Sequence, residues 1–313
     1  MRLPKLASRE YRLVRPPAPL THGAGQLWEQ VALPLEARRV RAPLIVNPAN
    51  LAPLSSKSNL VVIHDAAALR DPSWYSAGYA AWQARLLPTI ARRAAAVVTP
   101  SEFSRNELIE LLAVDPSKVR VIAGGVDSRF SPQADIERAR VGLGIENPYV
   151  LCVASRTARK NLSSLEPAAR MLAAEGIDLL VGGGDRPQFR DQAPLGTVRS
   201  LGYVDEALLA GLYAGASAFV LPSLHEGFGL TALEAMASGV PTVLAAAGAL
   251  PETGGAAALY ADPNDPIEIG NQLLAAIGRA DLAAAGIERA ARFSWDSTAT
   301  KLDQLVGELV DSK

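Results

Sequence analysis

Residues 215–245 read GASAFVLPSLHEGFGLTALEAMASGVPTVLA. An apolar run of strand length, Ala218 to Leu221, leads into a loop that carries His225, Glu226, Gly227, Phe228 and Gly229. A helix-forming stretch from Thr231 to Ser238 follows, Gly239 stops it, and a second apolar run covers Pro241 to Leu244. Strand, helical crossover and strand is the repeating unit of a parallel sheet. In the loop, Gly227 and Gly229 let the backbone approach a ligand closely. The N–H groups near Leu230 and Thr231 open a helix, and a helix N-terminus is a ready anion site that suits a diphosphate. Glu226 stands at the strand's C-terminal edge and Glu234 lies one turn into the helix. A carboxylate on either side of a diphosphate pocket fits a ligand with a hydroxylated ring at each end. A sugar nucleotide is such a ligand.

The same grammar extends outward. Candidate strands cover Pro148 to Ala154, Ile177 to Val181, Thr197 to Leu201 and Ala258 to Tyr260. Helices are expected from Leu162 to Glu175, closed by Gly176, and from Glu206 to Ala214. In the first half, strands are expected at Pro43–Val46, Leu60–Ile63, Ala96–Thr99 and Val119–Ile122. Helices there run from about Ala80 to Arg93 and from Ser104 to Leu112, with Ser101 as N-cap and Asp115-Pro116 as the stop. Continuous apolar strands between helices mean parallel sheets covered on both faces. The expected fold is α/β, with two doubly wound parallel-sheet, Rossmann-like domains facing across a cleft. Residues 1–130 form the first domain, 131–147 a polar Pro/Gly-containing linker, and 148–292 the second. Residues 293–313 form a terminal helix expected to pack back on the first domain.

Composition narrows the class. The chain has 313 residues, 49% apolar and 20% charged, which is globular. Its single cysteine, Cys152, rules out an internal disulfide framework. His22, His64 and His225 are too dispersed for a metal-ligand motif, and no Asp-x-Asp occurs. No apolar core follows the N-terminal Met1-Arg2-Leu3-Pro4-Lys5, and no window reaches about 18 apolar residues. The expected location is cytoplasmic. Residues 1–148 carry 19 Lys and Arg against 13 Asp and Glu, whereas residues 149–313 carry 12 against 19. A basic half of this kind can attract an anionic membrane face, although scattered arginines also make an ordinary solvated surface. Nucleic acid is not an expected partner.

Gly227-x-Gly229-x-x-Ala232 also matches the dinucleotide fingerprint. That reading needs an acidic residue at the end of the next strand, to hold a ribose. The next strand ends Val243-Leu244-Ala245-Ala246-Ala247, so a nicotinamide or flavin dinucleotide is disfavoured.

Glu226-x₇-Glu234 followed by Ala-x-Ala-x-Gly-x-Pro resembles the signature of glycosyltransferase family 4, of the GT-B architecture. Further segments fall in family order: Val61-Val62-Ile63-His64-Asp65, Pro100-Ser101-Glu102-Phe103-Ser104, Gly125-Val126-Asp127, Arg159-Lys160-Asn161, Gly202-Tyr203-Val204 and Leu250-Pro251-Glu252. Leu27 through Asn50 is similar to bacterial mannosyltransferases of polysaccharide assembly. The resemblance implies a retaining, metal-independent enzyme that moves a hexose from a nucleotide sugar, GDP-mannose or a UDP-sugar, to a glycan or polyprenyl-linked acceptor. It needs no other cofactor. Glu226 would hold donor-sugar hydroxyls, and Glu234 the ribose. Gly227, Phe228, Gly229, Leu230 and Thr231 would line the sugar and phosphates, with Val204 also at the donor. Lys160, with Arg156 or Arg159, would neutralise the diphosphate, and His64 would bond the donor sugar. The reaction would follow a front-face route in which the leaving phosphate helps accept the acceptor's proton.

The chain departs from the family at its start. No opening strand with a Gly-rich loop is legible in the first 40 residues, and Gly23-Ala24-Gly25 is the only early glycine cluster. A misassigned start or a shortened form would explain it. Two other readings stay open: a donor-binding, catalytically weak partner or sensor, and a sugar-nucleotide epimerase in which His225 is the extra acid/base candidate.

Overall fold

The computed structural model describes residues 11–14, 22–184 and 196–311. They form two compact units. The first takes the described residues up to Arg70, Gly78–Ala123 and those from Trp295 onward; the second takes Asp71–Ala77 and Gly124–Ser294.

The first unit holds a parallel sheet in the order β1-β2-β3-β4, formed by β1 (Ile45–Asn47), β2 (Asn59–Val62), β3 (Ala96–Thr99) and β4 (Val119–Val121). Leu60 pairs with Ala96 and Val61 with Val97, so neighbouring residues feed opposite faces. Val61 and Val97 pack with Leu87, Leu108 and Leu112 of helices Ala77–Arg93 and Glu102–Leu112. Leu60, Ala96 and Val98 face Leu305 and Val306 of the terminal helix, Trp295–Asp311. That helix returns to this unit because Ala299, Leu302, Leu305 and Leu309 recur at helical spacing on one side. The Thr298 hydroxyl donates to the Ala123 carbonyl at 2.7 Å and ties down its start. Ser101 caps Glu102–Leu112 by accepting from the Ser104 N–H at 3.0 Å. Among the described residues no strand precedes β1, and Gly23-Ala24-Gly25 lies in a helix, His22–Arg39, rather than in a loop.

The second unit holds six parallel strands: β5 (Tyr149–Val153), β6 (Asp178–Gly182), β7 (Arg199–Gly202), β8 (Ala218–Leu221), β9 (Thr242–Ala245) and β10 (Leu259–Ala261). Their order is β10-β9-β8-β5-β6-β7. From β5 the chain builds outward through β6 and β7. It then returns to pair β8 with β5 and builds the other way. The order therefore reverses between β5 and β8.

The expected linker, 131–147, is corrected by the structure. Its middle is a helix, Ile136–Leu143, capped by Asp135 and ended by Gly144 in the left-handed region. Ala139 is buried against helix Glu206–Ala214, which approaches so closely that a Cβ on Gly211 would lie 2.1 Å from the Asp135 carbonyl. The polar and Gly/Pro character that suggested a linker comes from these helix ends. The chain instead passes between units at Arg70–Asp71, Ala77–Gly78, Ala123–Gly124 and Ser294–Trp295. Among the described residues no helix is long and apolar enough to cross a membrane.

Leu305 is 5% exposed on the sheet of the first unit. Leu305→Ala is expected to destabilise that unit by about 2–4 kcal/mol, read from urea unfolding.

Candidate functional site

Ligands of open parallel sheets bind beyond the carboxyl ends of the strands where the order reverses. In the second unit those ends belong to β5 and β8, and the loops after them carry Arg156–Asn161 and Pro222–Gly229. The two loops are laced together. The Leu224 N–H donates to the Arg159 carbonyl at 2.9 Å. Asn161, held in the left-handed region, donates to the carbonyls of Pro222 at 3.2 Å and Pro263 at 2.7 Å.

Glu226 is the centre of the lacing. It is 6% exposed. Lys160 donates to its Oε1, Arg159 Nη1 lies 3.3 Å from its Oε2, and the Ser223 hydroxyl donates to Oε1 at 2.7 Å. Burial by itself raises the carboxyl's pKa, but Lys160 and Arg159, with the Ser223 hydrogen bond, outweigh it and hold the group at about 2. The backbone of Glu226 is clamped as well. Its carbonyl accepts from the Ala249 N–H at 2.9 Å. Gly248 packs against it so closely that a Cβ there would lie 2.6 Å from the Glu226 nitrogen. Gly248 also has φ of +60°, which glycine alone adopts cheaply.

Gly229, at φ +93°, turns the chain into helix Leu230–Ala237. The first N–H groups of a helix have no partner within it. Those of Leu230 and Thr231 therefore open at the same end of the sheet as Glu226. The Phe228 carbonyl accepts from the Thr253 hydroxyl, and its ring packs edge-on against Phe293 at 5.7 Å. Phe228 thus anchors the turn with its side chain.

Glu234 sits one turn further along and takes a hydrogen bond from the buried Tyr213 hydroxyl at 2.8 Å. Burial pushes its pKa up to about 7, against the lowering by that bond. The two glutamates are thus opposite in character: Glu226 is a fixed anion, and Glu234 titrates near neutrality.

Arg159, Lys160 and Glu226 form one group at these strand ends, next to the glycine turn Gly227–Gly229 and the helix start at Leu230 and Thr231. Val204 lies after β7 with its side chain in the core, where a Cβ on Gly182 would meet it at 3.3 Å. Only its backbone is available to a ligand. His225 is buried, with its carbonyl accepting from Arg159 at 2.6 Å and its ring 5.9 Å from that of Trp74. His64 belongs to the other unit, just beyond β2, and its side chain is exposed. Its N–H donates to Asn50 Oδ1 at 3.0 Å, its carbonyl accepts from Ser104 at 3.2 Å, and its ring Nε2 lies 3.3 Å from the Pro48 carbonyl. Among the described residues no cluster of three His, Cys, Asp or Glu side chains converges.

Sequence reasoning missed Ser223, Gly248, Asn50 and Tyr213. Ser223 could have been found three residues before Glu226. Gly248, Asn50 and Tyr213 come from other loops and another helix, and no local pattern marks them.

Known proteins share this fold. A sucrose-phosphate synthase from Thermosynechococcus elongatus superposes with a TM-score of 0.74 at 24% identity, over 90% of this chain and 77% of that one. Anabaena HepE, solved in complex with UDP and glucose, gives 0.68 at 20% identity, over 92% and 83%. The fold is therefore that of the GT-B glycosyltransferases. Residues 147–279 match the family Glycosyl transferases group 1, and residues 4–130 match Glycosyltransferase Family 4. The O-antigen chain mannosyltransferase B of Escherichia coli is 30% identical over 77% of this chain and 68% of its own length. The chain belongs to glycosyltransferase family 4. It also aligns at 31% identity with an MMP alpha-(1->4)-mannosyltransferase of Mycolicibacterium hassiacum, over 73% of this chain, and at 33% with a D-inositol 3-phosphate glycosyltransferase of Geodermatophilus obscurus, over 63%. The matches span 56% and 49% of those two relatives.

The paired state of Glu226 has a pH signature. A carboxylate with a depressed pKa contributes stability above its unfolded value, near 4.5, and loses it as pH falls through the folded value, about 2. Glu226→Gln is expected to cost about 3–5 kcal/mol at pH 7, since it removes the buried negative charge that the half-buried Lys160 and Arg159 pair with. Denaturant unfolding of both proteins should show that gap narrowing as pH falls from 4.5 towards 2.

Proposed function

We propose that the protein is a retaining, metal-independent glycosyltransferase that moves a hexose from a nucleotide sugar to a glycan or polyprenyl-linked acceptor. The observation that carries the reading is the buried Glu226, held by Lys160 and Arg159 at the strand-order reversal beside a helix N-terminus. It makes a sugar-hydroxyl acceptor and diphosphate cations contiguous.

In the reaction the bond between the anomeric carbon and the diphosphate oxygen breaks, and negative charge grows on the leaving diphosphate. Lys160, Arg159 and Arg156, with the N–H groups of Leu230 and Thr231, stabilise that charge. Glu226 accepts hydrogen bonds from donor-sugar hydroxyls and fixes the ring. Glu234 accepts from the ribose, with Tyr213 holding one of its oxygens. Gly227, Phe228 and Gly229 line the sugar and phosphates through their backbone, as Val204 does through its own. His64 hydrogen-bonds the donor sugar. The acceptor hydroxyl attacks on the face the diphosphate leaves, and its proton passes to a diphosphate oxygen. Configuration is retained without a covalent enzyme intermediate.

GDP-mannose is the proposed donor, supported by the two relatives named as mannosyltransferases. The UDP and glucose bound by HepE make a UDP-sugar the competitor. A thermal-shift panel of GDP-mannose, UDP-glucose, UDP-N-acetylglucosamine and dTDP sugars separates them, because a ligand that binds the native state raises its melting temperature. GDP-mannose is expected to give the largest shift. Glu226→Ala is expected to lower transfer by at least 10²-fold while the protein stays folded by circular dichroism. Full turnover in that variant would sink the assignment.

A ligand that needs Glu234 ionised binds better above its pKa of about 7. Nucleotide affinity, measured by calorimetry, is expected to rise about tenfold from pH 6 to pH 8. It should become flat in Glu234→Gln.

A further inference from the structure

The turn that leaves β2 is held from outside its sheet. Ile63 still pairs with the strand beside it, its N–H donating to the Val98 carbonyl at 2.8 Å. His64 lies one residue further on, and side chains of two other elements take both of its backbone polar groups. Asn50, in the loop after β1, accepts from its N–H at 3.0 Å. Ser104, in helix Glu102–Leu112, donates to its carbonyl at 3.2 Å. The Ala66 N–H donates to Glu107 of that helix at 3.4 Å, and Arg70 donates to the other carboxylate oxygen of Glu107 at 2.9 Å. Ser104 and Glu107 are buried.

The loop that carries Asn50 is fixed in its turn. Asn50 has φ of +42°, in the left-handed region, where Asn and Asp are the side chains most readily accepted. Its N–H donates to the Val62 carbonyl at 2.8 Å. Gln30 donates to the Ala52 carbonyl at 3.0 Å and accepts from the Leu54 N–H at 2.9 Å, and Asn59 donates to the Pro53 carbonyl at 2.9 Å. The Pro48 carbonyl therefore sits at a defined place, and the exposed His64 ring has its Nε2 3.3 Å from it. A carbonyl only accepts, so the nitrogen that faces it carries the proton. In a neutral imidazole the second nitrogen is then an acceptor. Nδ1 presents that lone pair.

We propose that Asn50, Ser104 and Glu107 are positioning residues that act through His64. They fix its backbone so that Pro48 keeps the ring proton on Nε2 and Nδ1 accepts a hydrogen bond from a substrate hydroxyl. That this hydroxyl belongs to the donor sugar rests on the proposed function; the orientation of the ring does not. A lone pair attracts a hydroxyl proton and repels an anionic oxygen, so His64 reads the sugar and not the diphosphate. Any turn must satisfy its buried backbone groups. Here three side chains from two elements grip the backbone on either side of one exposed ring, and that grip limits where its nitrogens can point.

The first test needs no transfer. Nitrogen–proton correlation spectra of histidine-labelled protein, at mildly alkaline pH, report which ring nitrogen carries the proton. His64→Gln identifies the signal among the three histidines. The proton is expected on Nε2, with the ring signal displaced in Asn50→Gly, since glycine keeps the backbone angle and lacks the acceptor. A proton on Nδ1, or a ring signal that Asn50→Gly leaves unchanged, overturns the proposal. The second test is kinetic. Asn50→Gly is expected to lower kcat/KM about thirtyfold, and Asn50→Asp, which keeps an acceptor oxygen, less than about threefold. In a His64→Ala background, Asn50→Gly is expected to cost less than about twofold, because the group it positions is gone. Affinity for the nucleoside diphosphate alone, which lacks the transferred sugar, should be equal in all of these proteins by calorimetry. An undiminished effect of Asn50→Gly in the His64→Ala background would make its role merely structural and overturn the proposal. Ser104→Ala enters the same cycle should Asn50→Gly fail to fold. A parent protein that transfers no hexose defeats the proposed function, and the spectra still decide the positioning of His64.

Discussion

The carboxylate of Glu226 is a charge kept out of water, and the second unit is arranged around making that tolerable. An isolated buried carboxylate would take up a proton rather than stay charged. Lys160, Arg159 and the Ser223 hydroxyl prevent this by occupying its oxygens. They can do so only if the loops after β5 and β8 lie side by side, and that adjacency follows from the strand order. The glycine at 248 and the hydrogen bond from Ala249 complete the clamp from a third loop. A fixed anion next to cations that are themselves held is a preorganised polar site. Such a site reacts to charge development without having to rearrange.

Glu234 shows the other use of burial. It lies eight residues on, in helix Leu230–Ala237, and the one hydrogen bond to its carboxylate among the described residues comes from the Tyr213 hydroxyl. A neutral donor lowers a carboxyl's pKa far less than two cations do, so desolvation prevails and the group titrates near 7. Two glutamates in one short segment are thus shifted in opposite directions from the ordinary carboxylate value because of what tertiary contacts bring to each.

Much of the fold could be read in advance. Strands Ala96–Thr99 and Ala218–Leu221 and helix Glu206–Ala214 have the bounds that their apolar runs and flanking residues give. These segments are buried on both faces or closed by a clear cap, so local pattern and tertiary environment agree. Two segments were misread or missed. Residues 131–147 look like a linker because helix caps and linkers use the same residue types, and only packing against Gly211 distinguishes them. Helix His22–Arg39 carries Pro34 inside it and apolar residues on both sides, so it has no clear amphipathic period to read.

The sequence by itself determined the parallel α/β architecture and the glycine and carboxylate pattern of the loop after β8. Strand period, glycine placement and the Glu-x₇-Glu spacing are local, and local order is written in adjacent residues. It also placed Arg159, Lys160, Glu226 and Glu234 as the charged residues of that loop and its neighbour. Only the tertiary structure decided which charges meet. Lys160 reaches Glu226 across 66 positions, and Tyr213 reaches Glu234 across 21. It also returned the terminal helix to the first sheet, with Leu305 and Val306 against Leu60 and Val98. Contacts at such separations depend on strand order and helix packing. No window of sequence contains both partners.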